Sequence, residues 1–187
     1  GVQIDVDGHV TIDGQQLPTA GPLSNRNMVI NGDMTIAQRG SSITYDTTTT
    51  AGAFASDRFK TAGSSTQLVG TLERAYDAAT GVPDLPFSLK WTTNTVESSV
   101  DANDLLYIAQ YIEGFNAQSP KFGTSAAQQT TLSFWVKCSI VGTYAVGIYR
   151  GTTARNIVTT YTINSANTWE YKTVSCRHNW CSNSKHK

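Results

Sequence analysis

Apolar and polar residues alternate with a period of two through much of this chain. Near the start, Val2, Ile4 and Val6 alternate with Gln3, Asp5 and Asp7, and Val10 and Ile12 resume the pattern after Asp7-Gly8. Successive side chains of a strand point to opposite faces, so this pattern predicts two short strands and a tight turn, with Asp13-Gly14 as a second turn signal. Two short strands cannot bury an apolar face alone. Val2, Ile4, Val6, Val10 and Ile12 are therefore expected to pack on the main domain or on copies of themselves. The run Leu17 to Pro22 reads as a linker, and residues 1–24 form an N-terminal β extension, expected to oligomerise.

Residues 25–174 read as strands separated by turns. Val29–Ile36 alternates around Asn31-Gly32, which reads as a turn or a bulge, whereas the Thr- and Ser-rich run Ser41–Ala51 reads as a surface loop. Arg58–Thr61, Gln67–Tyr76 and Phe87–Thr93 are further strands, the last two separated by the breaker Gly81–Pro86. Leu105–Ile112 fits two readings: Leu105, Ile108 and Ile112 sit at helical spacing, while apolar residues on both alternating faces suit a doubly buried strand, which the resemblance given below favours. In Thr131–Cys138, Leu132, Phe134, Val136 and Cys138 point one way, and Thr131, Ser133, Trp135 and Lys137 the other. Thr143–Arg150, Asn156–Ile163 and Thr168–Val174 complete the series. Strands at ~8–12-residue spacing with polar turns predict an all-β fold, a sandwich or jelly roll.

Charge narrows the function classes. Lys+Arg and Asp+Glu both number 14, giving zero formal net charge, and charged residues are only 15% of the chain. A nucleic-acid binder would carry a basic face, so no nucleic-acid partner is expected. No apolar run approaches the ~18 residues that span a bilayer, so no membrane insertion is expected. The chain starts at Gly1 without a visible signal peptide, and is expected to be a fragment or a processed product. Its Cys count of 3 is odd, which argues against a full disulfide framework.

Four blocks stand in a specific order. The first is Asn27-Met28-Val29-Ile30-Asn31-Gly32-Asp33-Met34-Thr35-Ile36-Ala37-Gln38-Arg39-Gly40, and the second Ala55-Ser56-Asp57-Arg58-Phe59. Gln110-Tyr111-Ile112-Glu113-Gly114 and Thr131-Leu132-Ser133-Phe134-Trp135-Val136-Lys137 follow. Together they resemble a jelly-roll domain, similar to carbohydrate-binding modules, found at the ends of bacteriophage tail fibres and in other virion proteins. The resemblance implies a virion location, a structural or host-binding role and no catalytic residues. It also leads us to expect a homotrimer that contacts other virion proteins and host-surface glycan. A capsid fibre, decoration or adaptor protein without ligand is the first alternative, and a glycan depolymerase the second.

Candidate chemistry is sparse. A depolymerase needs two carboxylates at a set separation, and Asp101, Asp104 and Glu113 are the carboxylates to weigh. Asp101 and Asp104 read better as turn formers beside Asn103, and Glu113 as a strand-end group held by backbone or an Arg. Arg39 and Arg58 are expected to fix the fold through ion pairs or carbonyl contacts. Asp33, Asp57, Asp101 and Asn103 offer oxygen ligands but no contiguous calcium loop. No metal or cofactor is expected.

Trp135 is the best binding candidate, because it sits among polar neighbours on the face opposite Leu132, Phe134 and Val136. The competing reading, the commoner one for a large aromatic among polar residues, is that a loop or a neighbouring subunit covers this face. Aromatic faces stack on the C–H surfaces of sugar rings, and Ser133 and Lys137 on the same face would orient the ligand. Trp91, Tyr149, Tyr161, Trp169 and Tyr171 read as core or edge aromatics.

From Ser175 the composition changes to Cys, His, Asn and Lys without periodicity. Cys176, His178, Cys181 and His186 could suggest zinc, but their C-x-H-x2-C-x4-H spacing is not a standard one. A reading-frame change near residue 175 explains the shift better, and sets 175–187 apart as an atypical tail that does not continue the last strand.

Overall fold

The computed structural model describes residues 27–46, 54–64, 67–77, 85–118, 120–121, 128–149 and 157–175, and the backbone alone of 2–4, 10–12, 15–16, 150, 155, 156 and 176. The fold is all-β and sandwich-like. A single 3-10 turn at Asn116–Gln118 is its one helical feature among the described residues.

The extension holds three strands, β1 (Val2–Ile4), β2 (Val10–Ile12) and β3 (Gln15–Gln16), in one antiparallel sheet. Its register pairs Val2 with Ile12 and Ile4 with Val10, so the apolar positions of the two runs meet row by row. Val6 lies outside the described residues.

The next six strands are β4 (Ser42–Tyr45), β5 (Phe54–Ser56), β6 (Phe59–Ser64), β7 (Val69–Tyr76), β8 (Phe87–Thr95) and β9 (Leu105–Gln110). They form two antiparallel sheets, ordered β4-β7-β8 and β5-β6-β9. Tyr45 and Leu72 of the first sheet and Ala55 and Ala62 of the second are buried. Burying a leucine as Leu72 is buried contributes roughly 1.5–3 kcal/mol. Two glycines make this packing possible. A Cβ at Gly63 would lie 2.1 Å from the Leu105 carbonyl oxygen, and one at Gly70 would lie 2.1 Å from the Trp91 ring. Trp91 uses that space to meet Tyr45 edge to face at 6.1 Å.

The last four strands are β10 (Thr130–Val136), β11 (Gly142–Arg150), β12 (Arg155–Ile163) and β13 (Glu170–Cys176). They pair as β10-β13 and β11-β12, each antiparallel. Their alternation matches the residue pattern. Leu132, Phe134 and Val136 are half-buried, Ile163 and Val174 are buried, and the alternate residues Thr131, Ser133, Trp135, Tyr171, Thr173 and Ser175 are exposed. Phe134 meets Tyr161 edge to face at 5.1 Å, and Tyr144 stacks on Tyr161 at 5.9 Å, which ties the two ladders together.

Several elements differ from the reading of the sequence. Val29–Ile36 forms no strand, and Asn31-Gly32 takes the turn option of its two readings. Asn31 and Met34 both take positive φ, at 57°, and the Met34 N–H closes a turn on the Asn31 carbonyl. Ser42–Tyr45, expected as loop, is β4. Its Ile43 and Tyr45 carry the inward alternation that the surrounding Thr and Ser conceal. Leu105–Gln110 is a strand but not a doubly buried one. It is the end strand in the order β5-β6-β9, and Leu105, Tyr107 and Ile108 are exposed. Ser175 and Cys176 continue β13 two residues past the expected boundary, because Thr131 and Thr130 offer them a matching backbone edge. Residues 177–187, with His178, Cys181 and His186, lie outside the described residues.

Candidate functional site

The first three resemblance blocks converge on one polar knot. Asn31 is its hub. Its side-chain amide donates to the Ile36 and Asp57 carbonyls at 2.9 Å and to Ser56 Oγ at 3.0 Å, while its Oδ1 accepts from the Ile36 N–H. Gln110, 80 residues away, accepts from the Ile30 N–H and donates to the Ile30 carbonyl. Asp57 accepts from the Gln38 N–H. Arg58, at φ 80°, donates to the Tyr111 carbonyl and pairs with Glu113. These groups give a turn-rich segment the backbone partners that a strand would have found in a ladder. Arg39 lies over the Phe54 ring at 4.9 Å. The knot positions chain segments and leaves no free acid. Hydrogen bonding from Arg58 holds the Glu113 carboxyl below its ordinary range, opposite to what a general acid needs. Asp101 and Asp104 close a turn on each other through Asp101 N–H to Asp104 Oδ2 and Asp104 N–H to the Asp101 carbonyl. Among the described residues no cluster of three or more His, Cys, Asp or Glu could hold a metal ion.

The second place of interest is the outer face of the β10-β13 ladder. The register sets Trp135 opposite Tyr171, Ser133 opposite Thr173, and Thr131 opposite Ser175. The Trp135 and Tyr171 rings lie 5.3 Å apart, tilted by 54°. Both keep accessible surface, at 36% and 56%. Behind them the hydroxyls form cross-strand pairs, Ser133 with Thr173 at 3.5 Å and Thr131 with Ser175 at 3.2 Å. The face is thus an aromatic pair at one end of two rows of hydroxyls.

The turn before β13 sets where Tyr171 falls. Glu170 accepts from the backbone N–H groups of Asn164 and Ser165 and from the Asn164 amide, and Lys172 donates to it at 2.6 Å. Asn167, at φ 55°, donates its N–H to the Cys138 carbonyl and pins the turn beside the end of β10. The bond from Lys172, followed by the backbone bond from Ser165, lowers the Glu170 pKa from 4.5 to about 2. A depressed carboxylate stabilises the fold fully above its unfolded value, and that contribution fades as pH falls. The melting temperature should therefore drop as pH goes from about 4.5 to about 2. Glu170→Gln should remove part of that drop. A pH profile of Tm identical in the variant and the parent would show that Glu170 does not anchor the turn.

Lys137 does not stand free on the Trp135 face. It follows β10, pairs with Asp77 and lies over the Trp169 ring at 5.2 Å. Tyr171, read as a core or edge aromatic, is of the edge kind and lies exposed beside Trp135. The signal for it was present, since Tyr171, Thr173 and Ser175 alternate as Trp135, Ser133 and Thr131 do. The register that brings the two sets together was not visible in either strand alone. Tyr149 is likewise exposed, while Trp91 and Tyr161 pack as expected.

No protein-family model, curated protein or solved structure matches this chain.

Proposed function

We propose that this chain is a virion structural protein, the distal part of a tail fibre, and that the Trp135 face of β10-β13 contacts host-surface glycan. The observation that carries the reading is the exposed Trp135–Tyr171 pair beside paired hydroxyls. Two rings at an angle offer a C–H surface a cleft to stack in, and hydroxyls can donate or accept as a sugar requires. The resemblance of the four blocks to tail-fibre ends supplies the virion context. Residues 1–16 serve as the trimerising segment, because β1 and β2 bring Val2, Ile4, Val10 and Ile12 into register on a sheet too small to be stable alone.

A second reading, a capsid fibre, decoration or adaptor protein without ligand, draws on the exposed edge strand β9. Leu105, Tyr107 and Ile108 there, with Phe115 beyond, would suit contact with another subunit. Labelling the chain on intact particles separates the two. Label at the tips of the tail fibres is expected, and label spread over the capsid would favour the second reading. The purified chain, with residues 1–16 intact, should run at three times its monomer mass of 20.2 kDa at micromolar concentration. A monomer under those conditions removes the trimer.

A further inference from the structure

Among the described residues the Trp135 face of β10-β13 carries no formal charge, and the way it avoids one is specific. Its outward residues are Thr131, Ser133 and Trp135 on β10, and Tyr171, Thr173 and Ser175 on β13. The charged residues of β13 alternate to the other side, where Glu170 and Lys172 pair with each other, their side chains 15% and 16% exposed. Lys137 is the cation nearest to Trp135 in sequence, and it is held by Asp77 and the Trp169 ring. An anionic sugar needs a cation or a set of fixed N–H donors to replace its water. Strand N–H groups lie in the plane of this ladder rather than on its face, so they offer a ligand there no set of donors. Hydroxyls are different, because each can turn to meet a sugar hydroxyl as donor or acceptor.

The face is also directional. Side chains on one face of a strand recur about every 6.6–6.8 Å, so Trp135, Ser133 and Thr131 span roughly 13 Å in a line, with their partners alongside. One sugar ring on the aromatic pair would leave the hydroxyl rows empty. An extended chain lying along the strands would use them.

From the proposed glycan-binding reading, on which this step rests, we infer that the ligand is a neutral, extended oligosaccharide. Its end ring stacks at Trp135 and Tyr171, and the following rings lie along Ser133/Thr173 and Thr131/Ser175. Acidic glycans bearing uronate, sialate or phosphate are poor ligands.

Titration of the intact chain followed by NMR or calorimetry tests this. The probes are neutral hexasaccharides of glucose, galactose and mannose, the matching monosaccharides, and acidic oligosaccharides of uronate and sialate, each at 50 and 500 mM NaCl. At least one neutral hexasaccharide should bind, with affinity changing less than twofold between the two salt concentrations. It should bind at least fivefold more tightly than its monosaccharide. The double variant Ser133→Ala/Thr173→Val should abolish that chain-length gain while leaving monosaccharide binding in place. Preference for an acidic probe, lost at high salt, would keep the glycan reading and overturn the neutral one. Equal affinity for monomer and hexamer would overturn the extended placement. Absence of binding to every probe would overturn both this inference and the reading beneath it.

Discussion

Replacing Asn31 by Ala should destabilise the fold by about 3 kcal/mol, the sum of a few hydrogen bonds worth roughly 0.5–1.5 kcal/mol each. The side chain bridges Ile36, Ser56 and Asp57. Removing it leaves two carbonyls and an N–H of a turn-rich segment without those partners. It also leaves a Cβ-bearing residue at φ 57°, where Asn is better tolerated than Ala. Asn31→Asp is the sharper test. It keeps the oxygen that accepts from the Ile36 N–H but sets a second oxygen against the Ile36 and Asp57 carbonyls. It should therefore cost at least as much as Ala, although it is close to Asn in size. Small domains have about 5–15 kcal/mol of stability in total, so urea unfolding would register either loss easily. Both variants falling within about 0.5 kcal/mol of the parent, the usual range for surface changes, would mean that the knot does not hold the fold.

Trp135→Ala should weaken glycan binding at least tenfold per site, a loss of about 1.4 kcal/mol, and host adsorption by more if several copies act together. The stability effect should stay small, since the lost ring contact with Tyr171 is worth about 0.5–1.5 kcal/mol beyond area. Tyr171→Ala should act in the same direction. Lys137→Ala should leave binding nearly unchanged, because Asp77 and Trp169 hold that ammonium. Adsorption unaffected by Trp135→Ala, with the melting curve intact, would remove this face as the receptor-contacting surface. A loss caused by Lys137→Ala but not by Tyr171→Ala would move the site past the end of β10, toward Asp77 and Trp169.

Period-two alternation is a local property, and it sufficed for much of this protein. It placed β7, β8 and the four strands from β10 onward to within two residues at each end. It also put Trp135 and Ser133 on the face opposite Leu132, Phe134 and Val136, as found. It failed where a distant partner decides the outcome. Val29–Ile36 alternates like a strand, yet Asn31 draws its hydrogen bonds from residues 25 and 26 positions away and turns the backbone. Leu105–Gln110 has the composition of an interior strand, but its place at the end of β5-β6-β9 leaves it half in solvent.

The candidate site divides in the same way. The direction each side chain points follows from its position along the strand, so Trp135, Ser133 and Thr131 could be grouped from one segment alone. That Tyr171 lies against Trp135, 36 residues on, depends on the β10-β13 register. The Glu170-bound turn sets that register, and no spacing along the chain encodes it. Which charges remain available was also a tertiary matter. Lys137 could be placed on the Trp135 face from sequence, but only the fold brings Asp77 to it, 60 residues away, and so leaves the face neutral.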